Sequence, residues 1–344
     1  MVMRDGDALD VRPGGDPPRA APEHHGAYHT AAFFLTLYAS ALTAWTVYGI
    51  VQGDGSLWDF VEGLFNPGAS SASQLVGPYE WAFAAAFLAT AGLAVAHRRP
   101  ARSAALFSGF FLLAVSLREA VGLCDAAYRY QYATDPLGGW ALATRVLGLV
   151  VAVVVLTTML PATEHRRRRR ADATPPAPRP APRARDRRLS RICGVLFLVM
   201  GLSRLAWTVR DLTTAGMDTA RYLRGAVDGS VLGTLNLAAS AEFTTLGSVL
   251  GFLLLGGLAL RARRDLRGAL LVFASVQLYL TVRTVVWLTV TDFFNQSFET
   301  PEGALSMATT AYGLAAMTSV VVLVMGAGVG RDREAGPSPD DSAP

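Results

Sequence analysis

Half of this 344-residue chain is hydrophobic (51%) and its formal net charge is +4; the apolar residues run in long blocks, which excludes an ordinary soluble core. All 31 basic residues are arginine, as GC-rich bacterial coding favours. Without lysine, there is no Schiff base for retinal or pyridoxal and no P-loop lysine for a nucleotide.

Cys124 and Cys193 stand alone, with no CxxC spacing to mark a redox or zinc centre. His24, His25, His29, His97 and His165 all fall in tails or loops, so no haem held by two intramembrane histidines is expected. No cofactor and no metal site follow from the sequence.

Residues 1–29 are rich in Pro, Gly and charge and read as a disordered tail. Crossing a hydrocarbon core of about 30 Å takes about 20 helical residues. Eight stretches qualify, near 30–51, 79–97, 102–123, 138–160, 190–209, 239–260, 267–290 and 304–328. The fold class is therefore all-α, a polytopic membrane protein. Short amphipathic stretches follow the first and fifth segments. Leu57, Phe60, Val61, Leu64 and Phe65 form one; Met217, Tyr222, Leu223 and Val227 form the other. Both read as helices lying in the outer interface or capping the bundle.

Arginine placement sets the orientation, since short cytoplasmic loops carry the positive excess. Arg98, Arg99 and Arg102, then Arg166 to Arg170, then Arg261, Arg263, Arg264 and Arg267 lie on one side; the intervening loops carry Asp54, Asp59, Glu62, Asp125, Asp135, Asp292, Glu299 and Glu302. Both termini are then cytoplasmic, in a cell-membrane protein. The stretch 161–189 joins five consecutive arginines to a run of prolines and reads as a solvated linker. Nothing aromatic is interleaved with those arginines, so anionic lipid and not nucleic acid is their expected partner.

The chain also resembles itself. At a shift of 165 positions, Arg102, Arg118, Gln131, Pro136, Gly138, Thr144 and Gly148 meet Arg267, Arg283, Gln296, Pro301, Gly303, Thr309 and Gly313, among fourteen identities across residues 102–149. At a shift of 162, Ala44 to Val47 meet Ala206 to Val209, and Glu80 meets Glu242. This predicts two tandem four-helix repeats, 30–160 and 190–328, in parallel orientation, with a second tail at 329–344.

Ionisable residues inside such segments are costly and draw attention as functional candidates. Counting helical rise puts Glu80 level with Arg118 and Glu242 level with Arg283. The expectation is one Glu–Arg pair per repeat, clamping its hairpin or acting as a gate. Glu119, Arg145 and Arg204 break the symmetry, matching Thr284, Thr310 and Leu42. They are the candidate ligand-binding residues, expected around an outward-facing polar cavity between the repeats, whose cationic excess suits a carboxylate or phosphate.

Three readings of function remain open. One is a binding or transport protein for an anionic or amphipathic small molecule. Another is a structural or accessory subunit with a membrane-protein partner. The third is a membrane-embedded enzyme on a lipid or isoprenoid, with Glu80 or Glu119 as an acid. For this last, Pro78, Tyr79 and Glu80 resemble the Pro-x-Glu start of membrane-embedded carotenoid cyclase domains, which also occur in tandem. Those have a second acid where this chain has Trp81. The likeness covers three residues and assigns no role to any of them.

Overall fold

The computed structural model describes residues 20–52, 56–68, 75–162, 184–214, 216–232, 237–261, 266–291, 293 and 297–333. Among them are eleven α-helices and no strand. In chain order they are α1 (His25–Gln52), α2 (Leu57–Phe65), α3 (Pro78–Val95), α4 (Pro100–Gly122), α5 (Ala126–Thr134), α6 (Gly138–Met159), α7 (Ala184–Thr213), α8 (Thr219–Val227), α9 (Ala241–Arg261), α10 (Arg267–Val290) and α11 (Pro301–Arg333). Eight of these are long and apolar enough to cross a membrane: α1, α3, α4, α6, α7, α9, α10 and α11. Large apolar side chains such as Phe33, Phe110, Leu254 and Val322 are more than half exposed. In water so wide an apolar surface would be a liability; facing lipid it is the solvent contact. The chain is a multi-pass helical membrane protein.

Element ends follow local chemistry. Ser56 and Asp59 form a capping box on α2, Asp125 caps α5 and Asp218 caps α8. Pro78 and Pro100 open α3 and α4, where a missing N–H costs nothing. The turn between α3 and α4 places His97 at φ 52°, with Arg98 N donating to Leu93 O at 3.0 Å. This is a helix-ending left-handed turn made on histidine in place of glycine.

The boundaries differ from expectation in four places, one of them at the last helix, where α11 runs to Arg333, into the tail expected at 329–344. Helix α1 starts inside the expected tail, because a 3₁₀ turn at Pro22–His24 leads into it and Ala20 N bonds His97 O at 2.8 Å. Helix α7 takes up the last residues of the expected 161–189 linker, whose part from 163 to 183 lies outside the described residues. The short helix α5 was not anticipated; its cap Asp125 and the i,i+4 pair Tyr128 and Tyr132 are the signals that mark it.

In the N-terminal half, α1 packs on α3 and α6, and α4 packs on α6; in the C-terminal half, α7 packs on α9 and α11, and α10 on α11. Helices α4 and α10 meet each other at the centre, and α10 also touches α3. Small residues allow the close approaches that replace hydrophobic driving force within lipid. Ala31, Ala39, Ala94, Ala101, Ala104 and Ala105 are wholly buried, and Gly194 in α7 and Gly256 in α9 pass backbone against backbone. Larger side chains fill the rest, with Phe87, Val151 and Met159 in one half and Phe197, Phe252 and Met317 in the other. Phe107 packs against both clusters.

The same contacts recur in both halves. Trp45 Nε1 donates to Thr144 Oγ1 at 2.9 Å, and Trp207 Nε1 to Thr309 Oγ1 at 3.2 Å. Gly148 lies against Tyr38 as Gly313 lies against Met200. Where α4 meets α10, Gly268 N donates to Ser103 Oγ at 3.1 Å. A Cβ on Gly268 would collide with the Pro100 carbonyl. Gly268→Ala is therefore expected to cost about 1–3 kcal/mol by overpacking, read as a lower unfolding midpoint in detergent. Gly257→Ala, where a Cβ meets nothing, should leave the midpoint unchanged or raise it.

Candidate functional site

The buried charged residues Arg118, Glu119, Arg145 and Asp228 gather at the end of the bundle that carries α2, α5 and α8. Their centre is Glu119, 2% exposed, on the last turn of α4. Its Oε1 lies 3.3 Å from Arg145 NH2, on α6, and 3.5 Å from Arg118 NH1. Its Oε2 accepts from the Tyr128 hydroxyl at 3.2 Å. Burial first, then the negative charge of Glu119, push the Tyr128 hydroxyl far above the usual phenol range. Tyr128 is thus a fixed donor. Tyr132, one turn further along α5, stacks edge-on against it and is raised chiefly by burial.

The C-terminal half closes over this centre. Arg145 NH2 also donates to Leu237 O at 3.0 Å, and Arg118 Nε and NH2 donate to Gly225 O at 3.3 Å. Gly229 packs directly on the Glu119 carboxylate, 3.1 Å from where its Cβ would stand. A Cβ on Gly122 would stand closer still to Ser230 N, at 2.8 Å. Neither glycine has room for a side chain. In place of an open cavity, Glu119 has a closely packed cover and three side-chain partners.

The structure does not form the two expected hairpin pairs. Glu80 turns back to its own helix start, where Oε2 accepts from Gly77 N at 3.1 Å, and Oε1 accepts from Ala239 N at 2.9 Å. Arg118, at the same height, points away from it toward α8. Arg283 NH2 donates to Gly63 O at 3.1 Å, beside Tyr279, whose hydroxyl donates to Leu64 O at 2.6 Å. Glu242 packs on Gly225 and makes no ion pair with Arg283. Helical rise fixes height but not direction around the axis, and the arginines face across the molecule instead of along their hairpins.

Arg118 and Arg283 thereby mirror one another. Each donates to the carbonyl of a glycine in the short helix of the opposite half, and those glycines, Gly63 and Gly225, are 162 positions apart.

Of the three candidate ligand residues, the structure joins Glu119 to Arg145 and leaves Arg204 elsewhere. Arg204, on α7, donates from NH1 to Ser248 Oγ at 3.0 Å and lies over the Phe252 ring at 5.5 Å. The Tyr79 hydroxyl faces Arg204, Gln277 and Thr244. Tyr79, Gln277, Tyr128 and Tyr132 carry no net charge, so a search for buried ions passes over them. Comparison with protein-family models, curated proteins and solved structures finds no match.

Glu119→Gln should cost about 3 kcal/mol or more, because two buried guanidinium groups lose their shared anion. Combining it with Arg145→Gln should cost less than the two single losses added, a coupling measurable by a double-mutant cycle on detergent-purified protein.

Proposed function

We propose that this is a two-unit integral membrane protein that binds an anionic or amphipathic small molecule near the outer face. The units are the four-helix halves, parallel and related by a pseudo-twofold axis along the membrane normal, with both termini in the cytoplasm and the short helices outside. The recurring Trp–Thr bonds, the reciprocal arginine–glycine bonds and the bond between Gly268 and Ser103, positions 165 apart on α10 and α4, support this arrangement.

One observation carries the ligand class. Among the described residues no carboxylate lies within ion-pairing distance of Arg204 or Arg283, whereas Arg118 and Arg145 share Glu119. Arginine held within apolar helices without a counter-charge is an anion-binding group.

A catalytic carboxyl fits poorly. Both oxygens of Glu80 are taken by backbone amides and both of Glu119 by side chains. The accessory-subunit reading has one observation behind it: Trp58, Tyr130, Trp140 and Phe298 stand about 70% exposed. An aromatic belt in the lipid interface accounts for such exposure equally well.

Two measurements test the proposal. Cys124 is exposed beside the short helices and Cys193 is buried, so an impermeant maleimide should label intact cells at Cys124; labelling only after lysis would reverse the orientation. A panel of carboxylate, phosphate and sulfonate amphiphiles should include members that raise the unfolding midpoint of the purified protein. A panel without effect, together with a stoichiometric membrane-protein partner in mild-detergent pull-downs, would favour the accessory role.

A further inference from the structure

The polar groups around Arg204 form a cluster with a specific chemical gap. Gln277 on α10, 2% exposed, and Ser248 on α9, 3% exposed, are its buried members; Tyr79, Arg204 and Thr244 are each only partly covered. Ser248 and the Tyr79 hydroxyl bond the guanidinium, and among the described residues no carboxylate pairs with it. Gln277 Oε1 is buried and accepts no hydrogen bond. A buried amide oxygen left unpaired is destabilising, so the cluster lacks two things at once: an anion beside Arg204 and a hydrogen-bond donor beside the Gln277 amide oxygen.

The rest of the molecule shows that the fold does not need these groups. At the shifts of 162 and 165, Arg204, Thr244, Ser248 and Gln277 correspond to Leu42, Ala82, Ala86 and Leu112, all apolar. Helices α1, α3 and α4, which carry those positions, pack in the N-terminal half without a polar group at any of the four. Arg204 also lies about 21 Å of helical rise above the cytoplasmic end of its segment, within one headgroup's length of the outer edge of a core about 30 Å thick.

We infer that the cluster of Tyr79, Arg204, Thr244, Ser248 and Gln277 binds a phosphate ester that carries a free hydroxyl, with the phosphate on Arg204 and the hydroxyl donating to Gln277. A lipid headgroup entering from the outer leaflet and a soluble polyol phosphate present the same chemistry. The inference rests on the binding function and orientation proposed above.

The test uses the full chain in mild detergent, with binding followed by native mass spectrometry and thermal shift. The probes are phosphatidylglycerol, phosphatidylmethanol, which keeps the charge but lacks the hydroxyl, and soluble glycerol phosphate. The wild type should prefer phosphatidylglycerol to phosphatidylmethanol. Arg204→Gln should weaken phosphatidylglycerol at least tenfold, and Gln277→Leu should erase the preference while keeping binding. Glycerol phosphate binding with the same dependence on Arg204 would assign the site to a soluble ligand. Gln277→Leu copies the residue at the matching position, so it keeps the test open if Arg204→Gln fails to fold. Equal binding of phosphatidylglycerol by wild type and a folded Arg204→Gln overturns the inference, as does an unchanged preference in Gln277→Leu. No binding of any of the three probes overturns it too, while the broader function stands if another anionic amphiphile binds.

Discussion

A carboxylate cannot be left alone inside an apolar bundle, and the arrangement around Glu119 follows from that constraint. Two guanidinium groups and a phenol converge on it, and each arginine also donates to a backbone carbonyl of the opposite half. The ion cluster thus also joins the halves. Desolvating three charges together is expensive, and the cost is tolerable only because nearly every donor and acceptor is used. Gly229 and Gly122 let the cover approach closely enough to complete those bonds.

Much of this architecture is legible in the sequence because membrane helices announce themselves by length and apolarity. All eight spanning helices stand where hydropathy places them, and the stretches at 57–65 and 217–227 became α2 and α8. What failed to be legible was direction. Glu80 and Arg118 share a height, but helix rotation, set by packing, sends one to its own N-terminus and Ala239 and the other to Gly225. The partners that matter most are backbone carbonyls of Gly63, Gly225 and Leu237, which no side-chain pattern advertises.

Departure from internal symmetry was a better guide than charge matching. Glu119 and Arg145, singled out because Thr284 and Thr310 occupy the matching positions, do meet in the structure. Arg204 belongs to a separate centre in the other half, among neutral polar residues. The molecule therefore carries two polar centres at non-matching places. In the first, two arginines share one buried carboxylate. In the second, among the described residues, Arg204 has neutral polar neighbours and no carboxylate.

The arginine–glycine bonds between Arg118 and Gly225 and between Arg283 and Gly63 run in both directions across the molecule. On the two-unit reading proposed above, a lone four-helix unit would keep an arginine and a glycine carbonyl without these partners, and a second unit facing it would supply both. Joining the two units in one chain would turn a concentration-dependent encounter into an internal one, and would let each unit diverge, since its residues would no longer have to suit an identical partner.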